Sequence, residues 1–318
     1  MTMPPAAPRT VVLTGGVGGA KLVLGLAQLL PPEKLTAIVN TGDDFIHLGL
    51  AISPDIDTLL YTLAGKANAA QGWGREGESW SFMSALRGLG GPDWFQLGDG
   101  DLALHVLRTA ALAAGRTLSQ ITADFARAWN IGPAILPMTG ARVATMLATD
   151  AGELDFQHYF VARRCAPVVR AIRFAGAAEA SPGPGVRAAI AQAEAIIIAP
   201  SNPYLSIGPI LAIPGIAAAL AAARAPIVAV SPIVGGQAVK GPTAKLMAEL
   251  GVPVSNAAIA AQYRPFISAL LCDTRDPPAD PGIAHAATDT LMHTLEDRVR
   301  VARAALALAA SLGKSPRP

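Results

Sequence analysis

The fold is decided near the N-terminus by the stretch Val11-Val12-Leu13-Thr14-Gly15-Gly16-Val17-Gly18-Gly19-Ala20-Lys21. Its apolar start, Val11–Leu13, predicts a buried strand, and the glycines that follow predict a tight turn. Leucines recur at helical spacing over Lys21–Leu30, and a second apolar run, Leu35–Val39, stops at Asn40-Thr41-Gly42-Asp43-Asp44. This order of strand, glycine turn, helix and strand predicts a Rossmann-like α/β fold, with a doubly wound, mostly parallel sheet.

The rest of the chain continues the α/β pattern around a helical segment. Residues 62–150 have mainly helical texture, so we expect a helical insertion, or cap, inside a single domain over residues 11–318. Strand texture returns over Gly152–Val161, and buried strands are predicted at Ala195–Ala199 and Pro226–Val230. Ligands of open parallel sheets bind at the carboxyl ends of the strands. We therefore expect the polar loops at these strand ends to share one cleft.

The composition excludes several classes of protein. Of the 318 residues, 52% are hydrophobic and 15% charged, which argues against global disorder. The net charge is +2 with no basic stripe, so we expect no nucleic-acid partner. Cys165 and Cys272 lack the spacing of a zinc site or a disulfide framework, so we expect two buried thiols in a reducing cytoplasm. Prolines interrupt the apolar stretch Ile196–Ala223, so we expect no membrane span.

The glycine turn suits the binding of a phosphate group. A helix N-terminus favours negative charge, small residues let a phosphate approach the backbone, and Lys21 adds a cation. The stretch is not a P-loop, because Ala20 precedes the lysine, and it lacks the last glycine of the dinucleotide fingerprint. The alternative is a strand–helix turn without a ligand. The predicted phosphate contacts are Gly15, Gly16, Val17, Gly18, Gly19 and Lys21.

Four carboxylates follow the second predicted strand, at Asp43, Asp44, Asp55 and Asp57. Clustered carboxylates repel one another unless a cation joins them. Mg²⁺ suits such a cluster, because it binds one or two carboxylates and keeps phosphate and water as its other ligands. We predict Asp43 and Asp57 as metal ligands. The alternative assigns Asp43 and Asp55 to helix caps and turns.

A second acidic stretch, Gln96-Leu97-Gly98-Asp99-Gly100-Asp101, precedes a predicted helix. Its two carboxylates, Asp99 and Asp101, are candidate site residues. The alternative is that Asp99 or Asp101 caps the helix. His105 follows Asp101 by one turn and is more typical of a buried structural residue than of a catalyst.

Two later loops and the tryptophans complete the candidate residues. Serine and asparagine side chains can hold a phosphate or the edge of a base, and Lys240 adds a cation to the second loop. Trp73, Trp80 and Trp94 lie in the predicted cap, where they could stack on a flat ring or pack the cap against the sheet. The predicted nucleotide contacts in the loops are Ser201, Asn202, Pro203, Ser231 and Gly235.

In combination, these motifs resemble the 2-phospho-L-lactate transferase family of coenzyme F420 biosynthesis. The resemblance extends from Val11 to about Met292. Gly100 and Gly140-Ala141 depart from the family pattern, where an arginine and a pair of acidic residues are common. The motifs that carry the resemblance are Thr14–Lys21, Asn40–Asp44, Ser53–Tyr61, Gly72–Gly74, Leu97–His105, Ile135–Met138, Pro200–Pro203, Ser206–Pro209 and Ser231–Gly236.

The resemblance implies a transfer reaction that needs Mg²⁺. A GDP-activated three-carbon acid, 2-phospho-L-lactate or phosphoenolpyruvate, donates its phospho group to the terminal hydroxyl of the deazaflavin FO, and GMP leaves. Asp57 and Gln96 match positions that hold FO in the family, although a basic residue is common at the position of Gln96, and Asn202 matches the nucleotide loop. The attacking hydroxyl needs a carboxylate within hydrogen-bond reach, and we predict Asp57 or Asp99 in this catalytic role. Trp73 suits the flat FO ring. The resemblance also implies a homodimer, and we expect Asp57→Asn to abolish turnover while the fold stays intact.

Two other functions compete with the transferase. One is a non-enzymatic, nucleotide-sugar-binding regulator of the related gluconeogenesis-factor family, which has a similar glycine-rich start. Its members usually carry a Gly/Ser-rich segment after the acidic pair, whereas Phe45–Gly49 follows here. The other is an NAD-dependent oxidoreductase. Lys21 at the last glycine of the fingerprint disfavours it, and no acidic residue after the second strand is placed to hold a ribose.

Overall fold

The computed structural model describes residues 7–238, 241–276 and 282–313. A 3-10 helix covers Pro32–Lys34, and π-helical segments cover His158–Ala162 and Pro203–Ile207. The strands are β1 Thr10–Thr14, β2 Leu35–Val39, β3 Phe45–His47, β4 Leu50–Ile52, β5 Ala134–Pro137, β6 Ala144–Thr149, β7 Gly152–Asp155, β8 Val169–Ala175, β9 Ala195–Ile198, β10 Ile227–Val230, β11 Ile233–Val234, β12 Gln237–Ala238, β13 Ala269–Asp273 and β14 Ala284–Thr288. The α-helices are α1 Gly16–Ala27, α2 Pro54–Leu63, α3 Ser81–Gly88, α4 Asp99–Ala113, α5 Leu118–Ala128, α6 Val186–Gln192, α7 Gly208–Leu211, α8 Pro214–Ala222, α9 Thr243–Glu249, α10 Asn256–Tyr263 and α11 Leu295–Leu312.

Seven strands form the central sheet, in the order β14-β13-β10-β9-β1-β2-β5. Every neighbouring pair runs parallel. The chain first builds outward from β1 through β2 to β5, and then returns to build the other half from β9 to β14. The strand order therefore switches beside β1, which is where open α/β sheets bind their ligands. The predicted α/β class is confirmed.

Helices cover both faces of the central sheet, and the strands are buried because of this. Val12 on β1 packs into the cluster formed with α1, α2 and α11. Its neighbours Val11 and Leu13 pack into the opposite cluster, with α6, α7, α8 and α10. Successive side chains of a strand point to opposite faces, so a strand covered on both sides reads as a continuous apolar run.

The segment 62–150 holds helices α3, α4 and α5, but it is not helical throughout. It also contains β5, which pairs in parallel with β2 at the edge of the central sheet, and β6. Strand β6 belongs to a separate antiparallel sheet of order β7-β6-β8. The helices thus form a long crossover between β2 and β5, and this crossover is called the insertion below. Strand texture over Gly152–Val161 yields only β7, because the Asp155 carboxylate then accepts the backbone N–H of His158 at 3.0 Å and the chain turns into a π-helical segment.

The apolar stretch Ile196–Ala223 folds as β9, a π-helical segment, α7 and α8. In the part of the chain that the structure describes, no single helix has the length and apolar composition to cross a membrane. One pair of helical segments, Pro203–Leu211 and Pro214–Ala222, passes that test by length and composition only when taken together, and it is bent by 85°. Both cysteines are free, and Cys272 is buried.

The contact between α1 and α11 predicts the effect of a mutation. A Cβ atom on Gly25 would lie 2.2 Å from the carbonyl oxygen of Arg298 in α11. We expect Gly25→Ala to lower the free energy of unfolding by about 1–3 kcal/mol, because the methyl group forces the helices apart. Gly88→Ala in α3 is the control, since nothing lies within 4 Å of its Cβ position. Helix propensity should raise its stability by about 0.5–1 kcal/mol. Urea unfolding gives the free energy of unfolding of both variants. Equal changes in that free energy for Gly25→Ala and Gly88→Ala would contradict the prediction.

Candidate functional site

The glycine turn lies between β1 and α1 at the switch in strand order. Helix α1 begins at Gly16, inside the turn, and Gly15 is its N-cap residue. Gly16 adopts a φ of 65°, a left-handed conformation that favours glycine. Amide groups in the first turn of a helix have no acceptor within that helix, so this end of α1 favours an anion. The predicted phosphate contacts in the turn stay a prediction.

The Asp55 carboxylate joins the glycine turn to the end of β2. Its Oδ1 accepts the backbone N–H of Gly16 at 2.7 Å, and its Oδ2 accepts Nδ2–H of Asn40 at 3.0 Å. A Cβ atom on Gly15 would lie 2.5 Å from Asp55 Oδ2, so only glycine permits this approach. The sequence indicated a cap or turn role for Asp55. The structure instead makes it a contact between two strand ends and α2.

The loop after β9 packs directly against the glycine turn. The Ser201 hydroxyl donates to the carbonyl oxygen of Gly15 at 2.8 Å. Asn202 Oδ1 accepts the N–H groups of Tyr204 and Leu205, at 2.9 and 3.0 Å, and so caps the π-helical segment that begins at Pro203. The Nδ2 atom of Asn202 is buried and has no hydrogen-bond partner in the described residues. The nucleotide roles of Ser201, Asn202 and Pro203 stay predictions.

The acidic residues after β2 form a buried cluster. Asp44 accepts the Ser53 hydroxyl at 2.7 Å, whereas Asp43 Oδ1 is buried without a hydrogen-bond partner in the described residues. Burial, and then the charges of Asp55 and Asp44, raise the pKa of Asp43 well above its usual range. Burial likewise raises the pKa of Asp44, and raises that of Asp55 to about 6. The excess negative charge here suits a cation.

The acidic cluster can be compared with the needs of a metal ion. The described residues contain no group of three or more His, Cys, Asp or Glu side chains arranged as a complete metal site. Mg²⁺ needs no such set, because phosphate and water fill most of its octahedron. Asp43, with its unpaired oxygen, fits that requirement. Open clefts here are lined by Gly42, Asp43, Asp44, Phe45, Ala144, Thr145, Asp155, Phe156 and Gln157.

Asp57 lies deeper and pairs with Arg108 of α4. Arg108 Nη1 donates to Asp57 Oδ2 at 3.1 Å, and Nη2 donates to Oδ1. Both side chains are almost fully buried, at 4% and 1% exposure. Burial lowers the pKa of Arg108, but the charge and hydrogen bonds of Asp57, together with the charge of Asp44, offset this and leave the pKa above its ordinary value. The metal, catalytic and acceptor roles of Asp57 stay predictions, and each must compete with this ion pair.

Arg108 is a site residue that the sequence reasoning missed. His105 Nδ1 lies 3.7 Å from Asp57 Oδ2, and His105 Nε2 lies 3.1 Å from Asp101 Oδ2. Asp101 also accepts the hydroxyl of Tyr61. Asp101, His105 and Arg108 recur at helical spacing, so they share one face of α4. That polar stripe on a helix was the available indication of a buried network.

Asp99 caps a helix, although not its own. Its carboxylate accepts the Ser79 hydroxyl at 2.6 Å and the backbone N–H groups of Ser81 and Phe82 at 3.0 Å each. These two amides open α3, whereas Asp99 itself is the first residue of α4. The bonds from Ser79 and Phe82 lower its pKa. The catalytic role of Asp99 stays a prediction, and its carboxylate already stabilises the insertion through these hydrogen bonds.

The insertion contains a small cleft that is open to solvent and has exposed aromatic rings, called the aromatic cleft below. Trp73 and Trp80 are 49% and 36% exposed. Trp94 differs, because it packs in a cluster of aromatic rings with His47 and His158. The structure thus brings Trp73 and Gln96, both predicted to hold the acceptor, into one cleft. It is lined by Gln71, Trp73, Gly74, Arg75, Glu78, Trp80, Gln96, Gly98 and Asp101.

The remaining predicted contacts have structural partners. Lys21 Nζ donates to the carbonyl oxygen of Met292 at 2.7 Å. Ser231 Oγ accepts the N–H of Ile233 at 3.1 Å, just after β10. Gly235 lies in the exposed turn of the β11–β12 hairpin with a φ of 61°. Lys240 lies outside the described residues. The nucleotide roles of Lys21, Ser231 and Gly235 stay predictions.

Comparison with known proteins identifies the family of this chain. The family model described as 2-phospho-L-lactate transferase CofD matches residues 10–307. A phosphoenolpyruvate transferase of Kitasatospora aureofaciens is 45% identical, over 95% of this chain and 98% of its own length. One from Streptomyces coelicolor is 42% identical over the same shares. A 2-phospho-L-lactate transferase of Methanosarcina mazei is 36% identical, over 84% of this chain and 87% of its own.

A solved structure resembles the fold at much lower sequence identity. The crystal structure of a UPF0052-family protein from Bacillus halodurans has a TM-score of 0.62 and 16% identity, and covers 94% of this chain and 100% of that one. At this identity the likeness concerns the fold alone. The family model and the closely matching transferases carry the assignment: this chain belongs to the 2-phospho-L-lactate transferase (CofD) family.

Proposed function

We propose that this chain transfers a phospho-three-carbon-acid group from a GDP-activated donor to the terminal hydroxyl of FO, as a step of coenzyme F420 biosynthesis. The hydroxyl oxygen attacks the phosphorus next to the three-carbon acid and forms a new P–O bond. The bond from that phosphorus to GMP breaks, and GMP leaves. The observation that carries this proposal is the meeting of the glycine turn and the acidic cluster at one sheet edge through Asp55.

The donor is proposed to lie along the carboxyl ends of β1 and β9. The first-turn amides of α1 beyond Gly16, whose N–H already donates to Asp55, would hold its diphosphate, and Nδ2 of Asn202 would donate to it. Both are donors, which phosphate oxygens require. The relatives at 45% and 42% identity are named phosphoenolpyruvate transferases, whereas the one named for 2-phospho-L-lactate is 36% identical. This supports the enolpyruvyl acid as the preferred group.

Mg²⁺ is proposed as the cation of the acidic cluster. When bound, it would offset the charge of the diphosphate and polarise the phosphorus that is attacked. Asp43 is the ligand that the unpaired oxygen supports best. Asp57 would join it only by sharing its carboxylate with Arg108. The acceptor's flat ring is proposed to occupy the aromatic cleft, against Trp73 and Gln96.

Turnover with purified substrates tests the reaction. With FO and Mg²⁺, we expect GMP release from the enolpyruvyl donor. Its kcat/KM should be roughly tenfold above that of the lactyl donor, because the two acids differ only slightly in shape and a pocket discriminates modestly between such groups. Chromatography of GMP and of the FO product measures both. Absence of GMP with every three-carbon donor, together with tight binding of UDP-sugars, would refute the proposal in favour of a nucleotide-sugar regulator.

The raised pKa values predict how Mg²⁺ stabilises the protein at different pH. Asp55 has a pKa of about 6 in the folded chain, above its unfolded value. Its contribution to stability is therefore full at low pH and is lost as the pH rises through 6. Mg²⁺ competes with protons for the acidic cluster. A tenfold increase in Mg²⁺ concentration should therefore raise Tm more at pH 7.5 than at pH 5.5, because binding to the folded state alone stabilises it. Thermal unfolding at both pH values measures the difference.

The matched variants for this measurement are Asp43→Asn and Asp124→Asn. Asp43→Asn should lose the Mg²⁺-dependent rise in Tm and lower kcat by about 100-fold or more, since several kcal/mol of charge stabilisation disappear. Asp124 lies on the surface of α5 and pairs with Arg127 there, so its variant should behave as the native protein. A native response to Mg²⁺ in Asp43→Asn would remove Asp43 from the metal site.

The Asp57–Arg108 pair changes what Asp57→Asn should do. The sequence alone suggested an intact fold, but the substitution leaves a buried guanidinium without its countercharge. We expect the free energy of unfolding to fall by about 3–5 kcal/mol. The double variant Asp57→Asn/Arg108→Met should recover most of it. If the folded double variant turns over normally, Asp57 has no role beyond the ion pair, and its proposed contacts to metal and acceptor are wrong.

A further inference from the structure

Arg75 is the cationic side chain of the aromatic cleft. Among the lining residues within the described chain, it alone carries positive charge. The acidic side chains of the cleft already accept hydrogen bonds: Glu78 accepts from a backbone N–H of α4, and Asp101 accepts from the Tyr61 hydroxyl. A cation 30% exposed beside two open indole rings is an arrangement that recognises electron-rich rings.

Glu78 fixes the position of the Arg75 guanidinium. Arg75 Nη1 donates to Glu78 Oε1 at 3.2 Å, and Glu78 Oε2 accepts the backbone N–H of Gly100 at 2.6 Å. The Glu78 side chain is only 6% exposed, so it is anchored to the start of α4. One bond to Glu78 uses a small part of the donors of a guanidinium, which carries five N–H groups in a planar fork. The other donors remain for a ligand.

The absence of a side chain at Gly100 makes room for that guanidinium. A Cβ atom on Gly100 would lie 1.9 Å from Arg75 Nη1. The glycine at this position therefore admits the arginine to the cleft, and any larger residue would displace it. Because the displaced group is the end of a flexible side chain, such a substitution moves Arg75 without breaking the backbone.

We propose that Arg75 is a specificity-determining residue for the acceptor. Its guanidinium donates to an electron-rich oxygen on the edge of a flat heteroaromatic ring that stacks against Trp73 and Trp80. This inference rests on the proposed function, in which FO occupies the aromatic cleft. It adds the residue that distinguishes a ring bearing such an oxygen from a purely apolar one, because an apolar ring would cover the guanidinium and displace its water without accepting a hydrogen bond.

Binding of FO to the full chain tests the inference without turnover. Calorimetric titration gives the Kd of FO for the native protein and for Arg75→Gln, Arg75→Lys and Gly100→Ala, and thermal unfolding checks that each variant folds. We expect Arg75→Gln to raise the Kd of FO roughly 10- to 100-fold, the range for a charge-assisted hydrogen bond. Gly100→Ala should act in the same direction with Arg75 still present. Lysine should restore only part of the affinity, because it lacks the planar fork.

The control is Arg87→Gln, an exposed cation of α3 that does not line the cleft. It should bind FO as the native protein does, and the KM for the GDP-activated donor should stay native in every variant. FO affinity within about twofold of native in both Arg75→Gln and Gly100→Ala would overturn the inference while leaving the transferase intact. An equal loss in Arg87→Gln, or a parallel rise in donor KM, would also overturn it. A native protein that neither binds FO nor releases GMP would instead sink the proposed function.

Discussion

The carboxylate of Asp55 is the contact on which the candidate site depends. By accepting from Gly16 after β1 and Asn40 after β2, it fixes the glycine turn, a strand end and α2 relative to one another. Burial makes this charge costly, and the neighbouring Asp43 adds to the cost. The protein holds several like charges where an anionic diphosphate is proposed to bind. A proton or a bound cation relieves that repulsion, and the proposed Mg²⁺ would be such a cation.

Much of the fold follows from the sequence because the central strands have a strong pattern. β1, β2, β9 and β10 are buried on both faces, so their apolar runs stand out between turn residues. β5 did not stand out. It has four residues, its burial alternates, and its place at the edge of the sheet comes from pairing with β2 about a hundred residues earlier. Length and periodicity carry no information about that partner.

The residues of the candidate site also differ in how far the sequence predicts their surroundings. The positions of Asp43 and Asn202 at one sheet edge could be predicted because they follow strand ends, and parallel strands bring their carboxyl ends together. The partners of the predicted acids could not. Asp57 meets Arg108, 51 residues away, only because α4 packs on α2, and Asp99 caps α3 rather than its own helix. Such pairings depend on the relative placement of helices, which local sequence does not encode.

All residues that line the aromatic cleft lie between Gln71 and Asp101, within the crossover from β2 to β5. The glycine turn and the loop after β9 belong to the sheet itself. The proposed sites for the ring and for the diphosphate are therefore encoded by separate stretches of the gene. Recombination or drift in one such stretch can give descendants that modify new ring systems, while they inherit the older phosphate chemistry unchanged.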